Sequence, residues 1–598
     1  MAVHSKILRK HFDNLGFDDY FFDIYESAAA DEMQNIDKMC EMLQSVWHSQ
    51  SKMVICTDFD VDGIMSGIIA YAGFSELGFN VDLYKPMPSL GYGFHIADVD
   101  RILIEFPDTT VIFTGDVGIS SNETIAYARS KGILVLVTDH HISSERSAAD
   151  VAVNPNQLGE TYSHSGICGS YVVYKIIEDY CKKYRTPAKS ADIYRLQMFA
   201  GVATISDVMP LMYENRQLVR NSISIMRYFY NYELKNNSIA PPVYSDNYSR
   251  AFVGMKKLLE YFRDMKKIKT TEDITEQFYG FYLVPFLNSC KRMNGDMRGV
   301  YDIFFSEFVS PLSGFENMSC VETGIKYVET LNNRRKVLTD EYFTALLAEK
   351  EADVSDRAVF MHSEVYITDA MSGLCGLLAT KLMNMSGLPT LVVNKNEDGS
   401  FSGSGRCPEW LDLSAKLQEY NLPIKCDGHK EAFGISIPDE STLCAYRDFF
   451  TSVVLSEHIR VMSEQTVSDT KVTISSSSFV PCDFSADTEL ISEYLNEKPM
   501  YCPFGKAFPE PYFAFYIDVN AVKTVMFGQK MQHIKLITDN GIEILLFNLA
   551  LDFTKLVYDN EGKNYLLVCY GTFQYDTYNN TEYDSICFFG DDIGVVEM

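Results

Sequence analysis

Three times within the first quarter of the chain, an apolar β-type run ends in a short segment of carboxylates or imidazoles. Met53–Thr57 runs into Asp58-Phe59-Asp60-Val61-Asp62-Gly63. Val111–Thr114 runs into Gly115-Asp116-Val117-Gly118, and Ile133–Thr138 runs into Asp139-His140-His141. Between them lie a helical apolar spacing over Gly63–Leu77, a short strand pattern over Val81–Tyr84 and a helical pattern over Asn122–Lys131. Strands alternating with helices in this way predict a parallel sheet with crossover helices. In such sheets ligands bind beyond the carboxyl ends of the strands. All three polar segments are expected at that edge.

So many acidic groups gathered in one place require cations to neutralise them. Asp58, Asp60 and Asp62 alternate, and alternate residues of extended backbone share a face. Asp116, Asp139, His140, His141 and, further on, Asp207 would complete the cluster. Ligation rich in oxygen with one or two imidazoles suits manganese or magnesium better than structural zinc. Two such ions about 3.5–4 Å apart would stabilise attacking and leaving oxygens in displacement at phosphorus. The competing reading of Asp58-x-Asp60-x-Asp62-Gly63 is a calcium loop. An EF-hand requires Glu at its twelfth position and flanking helices, whereas this chain has Ile69 there and a strand-like segment before.

Composition narrows the class. With 598 residues the chain is too long for one core, and 46% hydrophobic and 13% aromatic content argues for folded domains. The start, Met1-Ala2-Val3-His4-Ser5-Lys6, is not expected to be a signal peptide, and no apolar run is long enough to span a bilayer. The 14 cysteines form no Cys-x-x-Cys pair, which argues against a thiolate zinc site and for reduced thiols in a cytosol. The net charge of −29 argues against a general nucleic-acid coat protein. It leaves room for a local basic track, for which Lys and Arg at 255–257, 263–269, 291–298 and 334–336 are candidates. Their competing reading is ordinary solvated helix faces.

From Gly166 to about Met212 the periodicity is helical, and helices are expected through most of 213–350, with a polar break near Asn231–Tyr248. A second α/β unit follows, with strand patterns over Val359–Thr368 and Thr390–Asn394. The polar segments Ser402-Gly403-Ser404-Gly405-Arg406 and Asp427-Gly428-His429 are read as tight, loop-like boundaries of that unit. Beyond about Val467 short β-type runs dominate, among them Ile534–Ile537, Ile542–Phe547 and Tyr565–Tyr570, which predicts a small barrel or sandwich.

The motif residues Asp58-Phe59-Asp60-Val61-Asp62-Gly63, Asp116, Asp139-His140-His141 and Asp207 resemble the four motifs of the DHH phosphoesterase superfamily. Later segments narrow the resemblance to RecJ-type single-strand exonucleases. Pro285-Phe286-Leu287-Asn288-Ser289-Cys290-Lys291-Arg292-Met293 resembles that family's Pro-Arg-Ile-Asn-Ala-x-Gly-Arg-Met segment. Ser402–Cys407 resembles its Gly-Ser-x-Arg-Ser loop, and Asp427-Gly428-His429 its Gly-Gly-His segment. Pro503-Phe504-Gly505-Lys506-Ala507-Phe508-Pro509-Glu510-Pro511 resembles its Pro-Phe-Gly-x-Gly-Asn-Pro-Glu-Pro segment. Departures accompany these matches. The family's Arg before Gly-Tyr-Gly is absent from Pro86–Gly93, where Lys85 is the nearest cation, and Phe286, Asp427 and Phe508 replace family residues. Such divergence suits a distant branch of the kind found in a phage or mobile element.

The resemblance implies a parallel-sheet α/β DHH domain over 1–225, a helical connector over 226–350, an α/β DHHA1 domain over 351–460 and an OB-type β-barrel over 461–598. It implies 5′→3′ degradation of single-stranded DNA to mononucleotides, in DNA repair and recombination, with two divalent ions, Mn2+ or Mg2+. One ion would be held by Asp58, Asp60 and Asp116, the other by Asp62, Asp116, His140 and Asp207. His141 would face the scissile phosphate, Asp139 would orient the imidazoles, and Asp116 would bridge. Arg292, Asn288, Ser404, Arg406, His429 and Lys85 would hold the 5′-phosphate and the strand. Tyr92, Phe94 and barrel aromatics are candidates for stacking on bases, against the commoner role of core. Single-stranded DNA is the expected partner, with a single-strand-binding protein or a helicase beside it. The expected protein is a cytoplasmic monomer without membrane contact. Two other functions fit parts of the pattern: a DHH phosphatase or nanoRNase acting on short oligonucleotides or adenosine bisphosphate, and a catalytically silent replication scaffold.

Overall fold

In the computed structural model of the chain, the described residues are 5–17, 33–231, 245–305, 320–351, 364–408, 410–428, 430–466, 479–482, 488–528, 531–538, 541–575 and 586–597. His429 and the start of the strand expected at Val359 lie outside them. The described residues form two compact units. One is drawn from Ala29–Met209 and Gln217–Lys471, the other from Met1–Ala28, Pro210–Arg216 and Val472–Met598.

In the first unit the strands β1 (Met53–Thr57), β2 (Val81–Leu83), β3 (Val111–Gly115), β4 (Leu134–Thr138) and β5 (Val151–Val153) form a sheet of order β2-β1-β3-β4-β5. Every pairing in it is parallel. Every residue of β1 and β3 is buried, as expected of strands covered on both faces. The strand β5 was not anticipated, because three residues carry too little periodic signal.

Helix α1 (Val61–Glu76) leaves β1 directly and is buried along nearly its whole length. It packs against α2 (Gly169–Tyr184) and α3 (Gln197–Ser206). It begins two residues earlier than the apolar pattern suggested, because Asp60 caps it: Asp60 Oδ1 accepts the Gly63 N–H at 3.1 Å. A Cβ on Gly63 would lie 2.2 Å from the Asp58 carbonyl oxygen, so only glycine allows this immediate turn from strand to helix.

The same unit continues through helices, as expected. They include Asp246–Asp264, the single turn α4 (Ser289–Arg292) and the long α5 (Cys320–Glu351). A second sheet follows, built from β6 (Val365–Ile367), β7 (Thr390–Lys395), β8 (Phe401–Arg406), β9 (Lys425–Gly428) and β10 (Ala432–Ile437) in the order β6-β7-β8-β10-β9. Helix α6 (Ser372–Ser386) packs on β7 and β8. The segment Ser402–Arg406, read from sequence as loop-like, is the strand β8, antiparallel to both β7 and β10. Its glycines serve close packing instead: a Cβ on Gly403 would meet the Val392 carbonyl oxygen at 2.1 Å, and one on Gly405 the Phe433 ring at the same distance.

The second unit holds a seven-stranded mixed sheet. Its strands are β11 (Phe479–Cys482), β12 (Tyr512–Ile517), β13 (Lys523–Phe527), β14 (His533–Ile537), β15 (Glu543–Leu546), β16 (Tyr565–Tyr575) and β17 (Ile586–Glu597). Their order is β11-β12-β16-β17-β15-β14-β13, and among the described residues β11 and β13 are the edges. The Pro503–Pro511 segment is a structural anchor in this unit. Buried Arg216 donates to the Pro503 carbonyl at 2.6 Å and to the Tyr501 carbonyl, and stacks 3.8 Å over the Phe508 ring. Phe508 also stacks on Phe12 and Phe504. Among the described residues no helix is long and apolar enough to cross a membrane.

Candidate metal centre

The ends of β1, β3 and β4 bring Asp58, Asp60, Asp62, Asp116, Asp139, His140 and His141 together, and the end of α3 adds Asp207. Three sets of side-chain donors lie mutually within 4.8 Å: Asp58, Asp60 and Asp116; Asp62, His140 and Asp207; and Asp116, His140 and His141. His140 Nε2 stands 3.3 Å from Asp116 Oδ1, 3.5 Å from Asp207 Oδ2 and 3.7 Å from Asp62 Oδ2.

Backbone geometry sets each position. Asp116 adopts a left-handed φ of 62°, a conformation costing about 1 kcal/mol for a residue with a side chain. Helix α2 begins against this residue, and a Cβ on Gly169 would lie 2.6 Å from both Cβ and Oδ1 of Asp116. Freed of that Cβ, the α2 terminus grips Asp62 with the Gly169 N–H to Oδ2 at 2.7 Å and the Ser170 N–H to Oδ1 at 2.8 Å. The positive end of the helix dipole thus faces a carboxylate.

Asp139 is fully engaged. Its Oδ1 accepts the backbone N–H of His140 at 2.8 Å, that of His141 at 3.1 Å and His141 Nδ1 at 2.8 Å, and its Oδ2 accepts the Ile119 N–H at 3.0 Å. It therefore fixes the His141 ring directly, and holds His140 through its backbone N–H. Asn154 and Asn156 reinforce the turn by donating to the carbonyls of His141 and His140.

The electrostatics describe a site built for positive charge. Burial and Asp60 push the Asp58 carboxyl up to about 7. Burial and Asp62 push Asp116 and Asp207 well above the ordinary carboxylate range. Asp58 Oδ1, Asp116 Oδ1 and Asp207 Oδ2 are buried without a hydrogen-bond partner. Buried, mutually repelling and unsatisfied acceptors of this kind are the complement of a cation. Burial and the His141 charge hold His140 below its ordinary value, which keeps its imidazole neutral and able to ligate. Burial opposes a charge on His141, but Asp139 overrides it and lifts that imidazole to about 9. The donor set, all carboxylate oxygen and imidazole nitrogen, fits a hard divalent ion such as Mn2+ or Mg2+.

One residue expected from sequence in the basic track joins this cluster instead. Lys291 Nζ donates to Asp60 Oδ2 at 3.2 Å, lies 3.9 Å from Asp58 Oδ2 and stands 5.1 Å over the Phe59 ring. Burial works against its charge, yet Asp60 and Asp58 keep its ammonium more basic than usual. Asp60 in turn is held below its ordinary value: burial raises it, and Lys291, the Gly63 N–H and His141 together more than reverse this. The signal was its place beside Arg292 in a quoted motif.

The expected phosphate-holding residues form a second group. Arg292 on α4 and Arg406 on β8 lie close enough, with Arg335 of α5, that burial and the other two charges pull Arg292 down to about 10. Arg406 Nη1 donates to the Gly405 carbonyl at 2.7 Å. A Cβ on Gly376 would meet Arg406 Nη2 at 2.7 Å and Ser404 Oγ at 3.5 Å, so α6 backs both side chains. Asn288 Oδ1 is buried without a hydrogen-bond partner. Lys85 lies beside Asp302 and Asp296. In the expected basic track Lys257 pairs with Glu260, Arg263 with Asp264 and Arg298 with Asp296, which is the pattern of solvated faces. Tyr92 is exposed and tilts against His141, with ring centroids 5.1 Å apart, whereas Phe94 is buried in the core.

Comparison with known proteins agrees with this geometry. Residues 52–201 match the family model for the DHH family, N-terminal domain. The chain is 24% identical over 525 residues to the single-stranded-DNA-specific exonuclease RecJ of Haemophilus influenzae, covering 85% of this chain and 82% of that one. It is 23% identical to the Escherichia coli protein of the same name, covering 81% and 78%. Among solved structures, RecJ of Thermus thermophilus in complex with Mn2+ superposes with a TM-score of 0.70 at 17% identity, covering 99% of this chain and 76% of that one. The same protein has been solved with Mg2+. The chain therefore carries a DHH N-terminal domain within the fold of RecJ.

Proposed function

We propose that this chain is a metal-dependent exonuclease that degrades single-stranded DNA from its 5′ end to mononucleotides. The observation that carries the reading is the convergence of Asp58, Asp116 and Asp207, each with a buried unpaired oxygen, around neutral His140. Asp58, Asp60 and Asp116 would hold one divalent ion, and Asp62, Asp116, His140 and Asp207 the other, with Asp116 shared. When bound, the ions supply positive charge and an activated water for in-line attack at phosphorus.

The side chains do the rest. The Gly169 and Ser170 N–H groups fix Asp62, and Asp139 fixes His141 with its Nδ1 engaged. In the metal-free protein His141 is lifted to about 9 by Asp139. This imidazole is placed to stabilise charge on the phosphate or to donate a proton to the departing oxygen. Arg292 and Arg406, backed by Ser404, would grip the terminal phosphate, with Asn288 nearby. His429 and Lys85 extend the proposed strand contacts. The proposal assigns metal chemistry to residues 1–225, connection to 226–350, end binding to 351–460 and strand guidance to 461–598. It places the enzyme as a cytoplasmic monomer acting in repair and recombination, on strands presented by a helicase or a single-strand-binding protein.

The test is a time course with a long 5′-labelled single strand and a dinucleotide, each with and without Mn2+. Mononucleotides should leave the labelled end of the long strand first. Hydrolysis confined to the dinucleotide would refute the long-strand reading.

A further inference from the structure

The two halves of the centre are not equivalent. Asp60 has no free oxygen: Oδ1 caps α1 through the Gly63 N–H, and Oδ2 accepts the Lys291 ammonium at 3.2 Å. The same ammonium reaches within 3.9 Å of Asp58 Oδ2 and stands over the Phe59 ring. Among the described residues no lysine or arginine forms an ion pair with Asp62, Asp116 or Asp207. Lys291 stands where the resembled segment has glycine, and its side chain is 36% exposed, which leaves it a path to solvent.

We infer that Lys291 is a tethered counter-ion that competes with a divalent cation for the Asp58–Asp60 carboxylates, so that this half of the centre loads more weakly than the half built from Asp62, His140 and Asp207. The argument rests on the metal-centre reading. A monovalent ammonium on a flexible stem neutralises part of the carboxylate repulsion in the metal-free protein. A divalent ion entering the same pair meets that positive charge at close range and must displace it. The α4 turn that carries Lys291 is itself anchored, since Ser289 Oγ donates to the Phe286 carbonyl at 2.7 Å and to the Val328 carbonyl of α5 at 3.3 Å. The competitor is therefore always near and never lost to diffusion.

The experiment is Mn2+ binding to the full chain, read by calorimetry and by the electron paramagnetic resonance signal of free Mn2+. The parent should show two unequal classes of site. Lys291→Met, which keeps the stem and removes the charge, should tighten the weaker class by about tenfold and the tighter class by less, because the Lys291 charge acts more weakly on Asp207 than on the Asp58–Asp60 pair it touches. Lys291→Arg, which keeps the charge, should leave both classes within about threefold of the parent. Two equal classes in the parent, or no tightening in Lys291→Met, would overturn the inference. The parent measurement decides the matter should Lys291→Met not fold. Asp116→Ala separates the two levels of the argument. Loss of Mn2+ binding in Asp116→Ala together with an unchanged Lys291→Met would keep the metal centre and discard the competition. A parent that binds no Mn2+ would discard both.

Discussion

A Cβ on Gly169 would stand 2.6 Å from Cβ and Oδ1 of Asp116, so the first residue of α2 and the central carboxylate of the cluster occupy adjoining space that only glycine leaves open. Gly169→Ala must push Asp116 aside or shift the α2 terminus from Asp62. The expected outcome is a 10–100-fold loss of Mn2+ affinity, about that of losing a residue that orients a ligand. Calorimetry reads the affinity, and circular dichroism should report an unchanged helix content.

The Asp58 carboxyl predicts a pH dependence. Its pKa in the metal-free protein is about 7, against an ordinary value of 3.8. Below pH 7 a proton occupies this carboxyl and must leave before a cation binds. The proton on this carboxyl alone should therefore make Mn2+ affinity climb by up to about tenfold per pH unit between pH 5 and 7. The linked stability has the opposite sign. A raised folded-state pKa favours the native state at low pH, and this contribution is lost as pH rises through about 7. In chelator the melting temperature should accordingly fall across pH 4–7, and the fall should be smaller in Asp58→Asn.

The parallel sheet and its carboxylate edge were legible in the sequence because buried parallel strands are short continuous apolar runs, and β1 and β3 are such runs. Asp58, Asp60, Asp62, Asp116, His140 and Asp207 converge as their positions at strand and helix ends suggested. The β8 strand was not legible: Ser402-Gly403-Ser404-Gly405-Arg406 has no apolar alternation. Its glycines lie against Val392 and Phe433, contacts that depend on chain distant in sequence. Lys85 was placed by proximity along the chain, and its neighbours Asp302 and Asp296 were not legible there. Lys291 was read as part of a basic track and not as a neighbour of the metal centre, because a lysine acquires its meaning only from the carboxylates more than 200 positions away that it meets.

Arg406 and Arg292 make a prediction about ends. Two neighbouring guanidiniums, with Arg292 drawn down to about 10 by burial and by the other arginine charges, await an anion. Arg406→Ala should reduce the preference for 5′-phosphorylated over 5′-hydroxyl strands by about tenfold or more, the worth of a hydrogen-bonded charge pair. Cleavage of strand already bound should slow less. Competition between the two labelled ends measures this, and an unchanged preference would remove Arg406 from the end-binding site.

The central claim is that one aspartate–histidine cluster, loaded with divalent ions, hydrolyses single-stranded DNA. The most direct measurement follows label released from a 5′-labelled single strand by the parent and by Asp116→Ala, in Mn2+ and in chelator. Mononucleotides should appear only with the parent in Mn2+, and Asp116→Ala should be at least about 10²–10³-fold slower while melting no earlier than the parent in chelator. Undiminished release by Asp116→Ala, or by the parent in chelator, would contradict the account.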